Sequence, residues 1–114
     1  MGIRVVYVDD EPDICELFVD IFGDAEVSIE SFCDPELAIK HIHEVMPDLV
    51  IVDFRMPHTT GEKLAASLPV GIPVACASGD LDLQSKYQFV KVLKKPFEVD
   101  CVKEFIDGYL APKK

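Results

Sequence analysis

Short unbroken apolar runs alternate with amphipathic stretches from one end of the chain to the other. Ile3 to Val8 predicts a buried first strand. Pro12 suits the first turn of a helix, Ile14, Leu17, Phe18, Ile21 and Phe22 recur at helical spacing, and Gly23 stops it. Glu26 to Phe32 alternates, with Val27 and Ile29 facing one way and Ser28 and Glu30 the other, as an edge strand does. Asp34-Pro35 caps a second helix carrying Leu37, Ala38, Ile42 and Val45, and Pro47 ends it. Leu49 to Val52 is continuously apolar, which predicts a central strand buried on both faces. Phe54 to Thr60 reads as a loop, Gly61 to Leu68 as a short helix, and Ile72 to Ala77 as a fourth strand. Asp80 to Gln88 reads as a short helix and Phe89 to Leu93 as the fifth strand. Val99, Val102, Phe105, Ile106 and Tyr109 mark the last helix. Strand and helix alternate throughout, so the expected class is α/β around a parallel sheet.

Composition narrows the function. The 114 residues suit one domain over 1–114, with no repeat and no linker. No apolar run approaches the roughly 18 residues of a membrane span, and the start is not expected to hold a signal peptide. A net charge of -10 disfavours direct binding to nucleic acid or an anionic membrane. Cys15, Cys33, Cys76 and Cys101 are widely spaced and form no C-x-x-C, so they read as structural thiols in a reducing cytoplasm. His41 and His43 are two apart on a helix and share no face, which makes them surface or boundary residues. His58 falls in the loop after Asp53, where a partner could meet it.

The chemistry lies at the predicted strand ends. Asp9 and Asp10 close the first strand, Asp53 the third, Ser78 the fourth and Lys95 the fifth. Ligands of an open parallel sheet bind outside the carboxyl ends of its strands, so these groups should converge. Three carboxylates repel one another, and a divalent cation with a taste for hard oxygen ligands, such as Mg²⁺, relieves that. Asp53 is also a candidate nucleophile that forms an aspartyl phosphate. Lys95 would hold a phosphoryl oxygen, and Ser78 would donate a hydrogen bond to the product.

These residues resemble the response-regulator receiver domains of two-component signalling. The resemblance runs from about Ile3 to Tyr109. It rests on Val8-Asp9-Asp10-Glu11-Pro12, Val52-Asp53-Phe54-Arg55-Met56-Pro57 with Gly61, Ala77-Ser78-Gly79 and Lys95-Pro96-Phe97. It implies a doubly wound (βα)₅ flavodoxin-like three-layer sandwich with strand order 2-1-3-4-5, and a cis peptide before Pro96. It also implies that Asp53 accepts a phosphoryl group from a histidine kinase or a histidine phosphotransfer protein. Mg²⁺, or Mn²⁺ in its place, would be bound by Asp10, Asp53 and the Arg55 carbonyl, with Asp9 assisting through water. Arg55 and Asp80 would flank the route of the water that ends the phosphorylated state. Such a chain relays a signal by binding a downstream protein and is not a turnover enzyme.

Two departures stand out. Val92 occupies the position, three before the site lysine, where receivers usually carry an aromatic. Only 16 residues separate Gly61 from Ser78, and 16 separate Ser78 from Lys95, so the third and fourth helices must be abbreviated. Three other readings stay open. A Mg²⁺-dependent phosphatase would share the Asp nucleophile, but Asp53-Phe54-Arg55 lacks the second acid of a D-x-D-x-T signature. A flavin carrier would need a Ser/Thr/Gly-rich loop where Asp-Asp-Glu-Pro stands. A degenerate receiver would serve only as a binding module.

Overall fold

The computed structural model describes residues 2–56, 59–79 and 87–110. In chain order the elements are β1 (Ile3–Val8), α1 (Pro12–Phe22), β2 (Val27–Phe32), α2 (Pro35–Val45), β3 (Leu49–Asp53), β4 (Arg55–Met56), β5 (Thr59–Thr60), α3 (Gly61–Ala66), β6 (Val74–Ser78), β7 (Val92–Lys94) and α4 (Val99–Leu110). Five strands form one sheet in the order β2-β1-β3-β6-β7, and every pair in it is parallel. With the short β4 and β5 set aside, this is the expected order 2-1-3-4-5.

The sheet is the middle of three layers. Tyr7 and Val5 face α1 and α4, packing with Phe18, Phe22, Val102 and Ile106. Val6 and Val8 face α2 and α3, packing with Ala38, Ile42, Leu64 and Ala65. Successive residues of a strand point to opposite faces, so a β1 buried on both sides had to be apolar throughout. Both helix starts that carry a cap do so with the expected chemistry. Asp34 Oδ1 accepts the Glu36 amide at 2.9 Å, and Thr60 Oγ1 accepts the Lys63 amide at 3.1 Å.

The structure corrects several expectations. Residues 54–60 are not a plain loop: Arg55–Met56 and Thr59–Thr60 pair antiparallel as a small ladder. The fifth strand starts at Val92 instead of Phe89 and runs on to Lys94. Leu17 and Ile21, which recur at helical spacing with Phe18 and Phe22, are nevertheless 52% and 37% exposed. The inward stripe of α1 is Cys15, Phe18 and Phe22, so Leu17 and Ile21 fall on its flank. Val99 and Cys101 are likewise exposed on α4, whose buried residues are Val102 and Ile106. The third helix is short, as its sequence spacing requires. The expected helix from Asp80 to Gln88 falls largely on residues 80–86, outside the described residues, as do Pro57 and His58. No helix among the described residues is long and apolar enough to cross a membrane.

Candidate functional site

Four of the five polar residues come to the sheet's carboxyl edge because each ends, or directly follows, a parallel strand, and Asp10 stands next to the first of them. Asp9 follows β1, Asp53 ends β3, Ser78 ends β6 and Lys95 follows β7. The Lys95 amide donates to the Ser78 carbonyl at 2.9 Å, which ties the last two together. The Lys95–Pro96 peptide bond is cis, as the resemblance implied.

The Lys95 ammonium bridges two carboxylates, donating to Asp9 Oδ2 at 3.0 Å and to Asp53 Oδ1 at 3.2 Å. Asp9 is fully buried, and both its oxygens are engaged. Oδ2 also accepts the Tyr7 hydroxyl at 2.7 Å, and Oδ1 accepts the Glu11 amide at 3.0 Å. Asp10 is more exposed than Asp9. The cap residue of α1 is Glu11, and no side chain caps it.

Electrostatics follow from this packing. Burial pushes the Asp53 carboxyl up to about 6, the Asp9 charge adds to the effect, and Lys95 opposes it. Burial alone would lower the Lys95 pKa, but the hydrogen bond and charge of Asp9, then Asp53, carry it above its usual value. Burial, followed by the bond to Asp9, pushes the Tyr7 phenol far above its ordinary range.

The donor set fits a hard divalent cation. One oxygen each from Asp9, Asp10 and Asp53 lie within 4.8 Å of one another. Two oxygens about 2.1 Å from a shared Mg²⁺ sit at most about 4.2 Å apart, so small side-chain movements close the set. Asp10 and Asp53 suit direct contact. Asp9, which already accepts two donors on Oδ2 and one on Oδ1, suits a role through water.

Gly61 supports the site from behind. Its amide donates to the Phe54 carbonyl at 2.8 Å, and a Cβ there would meet the Asp53 carbonyl oxygen at 2.8 Å. The site residue that sequence reasoning missed is Tyr7. Tyr7 was readable, since residues two apart on a strand share a face and Tyr7 precedes Asp9 by two. Phe89 packs edge-on against Phe54, with ring centroids 6.5 Å apart, and tilts against Tyr87 at 4.9 Å. No local pattern announces that contact, because the two rings lie on different loops. Val92, where the aromatic would sit, is 48% exposed.

Arg55 sits in β4 with an exposed side chain, and Asp80 lies outside the described residues, so their facing loops are not described. His41 is a boundary residue, 2.6 Å from Glu30 and tilted against Phe32, and His43 contacts the Ser67 carbonyl at 2.9 Å. Beside the acidic cluster runs an apolar groove of about 300 Å³. Leu17, Ile21, Phe97 and Val99 line it, and Glu11 and Lys95 join it to the cluster.

A family model described as the response regulator receiver domain matches residues 5–107. The chain is 27% identical over 105 residues to protein-glutamate methylesterase/protein-glutamine glutaminase 2 of Oleidesulfovibrio alaskensis, covering 82% of this chain and 30% of that protein. It is 30% identical over 83 residues to the corresponding protein 1 of Anaeromyxobacter dehalogenans, covering 69% of this chain and 23% of that one. The chain thus spans less than a third of the length of these curated relatives. Among solved structures it resembles the chemotaxis response regulator CheY4 of Vibrio cholerae, with a TM-score of 0.83 at 19% identity over 96% of this chain and 99% of that one. A CheY-like receiver domain from Methylobacillus flagellatus gives 0.85 at 19% identity, again over 96% and 99%.

Proposed function

The chain belongs to the response regulator receiver domain family of two-component signalling, and from that premise we propose that it is a phosphoacceptor switch acting in the cytoplasm. Asp53 takes a phosphoryl group from a histidine kinase or a histidine phosphotransfer protein. The modified surface then changes its binding to a downstream protein. The observation that carries this reading is the Lys95 ammonium held between Asp9 and Asp53, with Asp10 in the same cluster.

The residues divide the work. An Asp53 oxygen attacks the donor phosphorus, the donor's bond to phosphorus breaks, and an acyl phosphate forms on Asp53. Lys95 exchanges its contact with the Asp53 carboxylate for one with a phosphoryl oxygen, so its charge stays paired throughout. Ser78, at the end of β6, supplies a hydroxyl to the same group. Asp10, Asp53 and the Arg55 carbonyl would hold Mg²⁺ or Mn²⁺, while Asp9 anchors Lys95 and would meet the ion through water. When bound, the ion neutralises charge on the transferring phosphoryl oxygens. The groove beside Lys95 gives a protein donor an apolar seat next to the acceptor.

The test is treatment with acetyl phosphate, with and without Mg²⁺, read by intact mass. One phosphoryl mass should be gained only with the metal, and Asp53→Asn should abolish it. Labelling that persists in Asp53→Asn would remove the assignment. Continued hydrolysis of a phosphate ester in excess would favour the phosphatase reading instead.

A further inference from the structure

We propose that Cys15 and Cys33 form a reversible disulfide, a redox-modifiable pair set directly behind the acidic cluster. The two residues are 18 apart in sequence, but the fold brings them together. β1 and β2 pair in parallel, with Val8 opposite Phe32. Cys33 immediately follows that pair, and Cys15 lies in the first turns of α1. The Cys33 thiol donates to Cys15 Sγ across 3.9 Å. A disulfide needs about 2.05 Å, so the sulfurs must close by roughly 2 Å. Cys33 is exposed in the short connection between β2 and α2, whereas Cys15 is buried.

The exposure difference assigns the roles. A hydroperoxide reaches Cys33, whose sulfur takes the terminal oxygen as the O–O bond breaks. This leaves a sulfenic acid and releases the alcohol or water. Cys15 sulfur then forms the S–S bond while the Cys33 S–O bond breaks. The departing oxygen leaves as water with the Cys15 proton. Two electrons pass from the thiols to the peroxide, and a dithiol reductant restores both thiols by exchange.

The pair reaches the site through one hydrogen bond. In the reduced chain the Cys15 thiol donates to the Asp9 carbonyl at 3.2 Å and to the Phe32 carbonyl at 3.6 Å. A disulfide has no S–H, so oxidation takes this donor from the buried residue that anchors Lys95. The disulfide itself stands on the sulfur geometry alone; its effect on metal binding rests on the phosphoacceptor reading.

The full chain is treated with hydrogen peroxide and analysed by intact mass, thiol alkylation and peptide mapping. The monomer should lose about 2 Da, the change for one disulfide from two thiols. Two of the four cysteines should resist alkylation, a Cys15–Cys33 linked peptide should appear, and dithiothreitol should reverse all three. Cys33→Ser alters an exposed residue and should abolish the loss. Sulfinic acid at Cys33 as the main product, a disulfide-linked dimer, or a 2 Da loss that survives in Cys33→Ser would each overturn the pair. The oxidised monomer should also bind Mg²⁺ several-fold more weakly than the reduced one by calorimetry. Equal affinities would overturn the coupling to the site. A reduced chain that binds no Mg²⁺ at all would count against the phosphoacceptor reading, not against the disulfide.

Discussion

The Tyr7 hydroxyl donates to Asp9 Oδ2 across 2.7 Å, and neither group meets solvent. The tyrosine ring is part of the core, stacked on Phe18 at 4.0 Å. The aspartate is part of the site. One bond therefore joins packing to chemistry. Tyr7→Phe keeps the ring and removes only the donor. It should cost about 1.5–3 kcal/mol, the range for a hydrogen bond to a charged group. Urea denaturation checks this, and a loss below the error of the fit would mean that Lys95 and the Glu11 amide suffice for Asp9.

Asp53 gives the site a pH signature. Its folded pKa of about 6 lies above the carboxylate's usual value of about 4. The folded state therefore holds its proton more tightly, so this group's contribution to stability is present below about pH 4 and is lost as pH rises through about 6. In chelator, Asp53→Asn should match the wild type at low pH and exceed it above pH 6, by on the order of 2–3 kcal/mol. Parallel stability profiles from pH 4 to 8 would contradict this. Mg²⁺ should narrow the gap by stabilising the wild type.

Gly61 should not tolerate a side chain. An added Cβ would meet the Asp53 carbonyl oxygen at 2.8 Å and the Phe54 Cα at 3.0 Å, and both are backbone. Gly61→Ala should cost about 1–3 kcal/mol, as overpacking does, and should slow labelling of Asp53 by displacing it. Gly108→Ala is the control, because nothing lies within 4 Å of a Cβ there.

Lys95→Ala should leave the fold in place and blunt the response to beryllofluoride. The lysine is the cation that faces Asp9 and Asp53 together among the contacts described. A full spectral response in that variant would refute the role.

Leu17 separates the donor's docking from the chemistry. It is exposed on the groove that Lys95 and Glu11 join to the cluster. Leu17→Asp should slow transfer from a phosphorylated protein donor at least several-fold and leave the acetyl phosphate rate unchanged. Equal slowing of both would place the defect at Asp53 instead.

Most of the architecture was legible because buried parallel strands must be apolar on both faces, and Ile3–Val8 and Leu49–Val52 obey that. Site residues were legible because they sit at the ends of those strands. What escaped was set by contacts between distant segments. Leu17 and Ile21 match a helical period but lie at the edge of the stripe that Phe18 and Phe22 bury. Val92 is exposed although its run is apolar. The approach of Cys33 to Cys15 depends on strand register, which no spacing in the sequence states. Tyr7 was within reach, had its hydroxyl been weighed alongside its ring.

The two helices that follow the strands of the acceptor pair leave in opposite directions. α1, after β1, packs on one face of the sheet, and α3, after β3, on the other. The two adjoining chain turns therefore part, as two roads leaving a bridge on opposite banks. The cleft between them is a product of winding, not of side-chain identity. Its position is therefore set by the order of the strands, and substitutions in its lining change what the cleft does without moving where it lies.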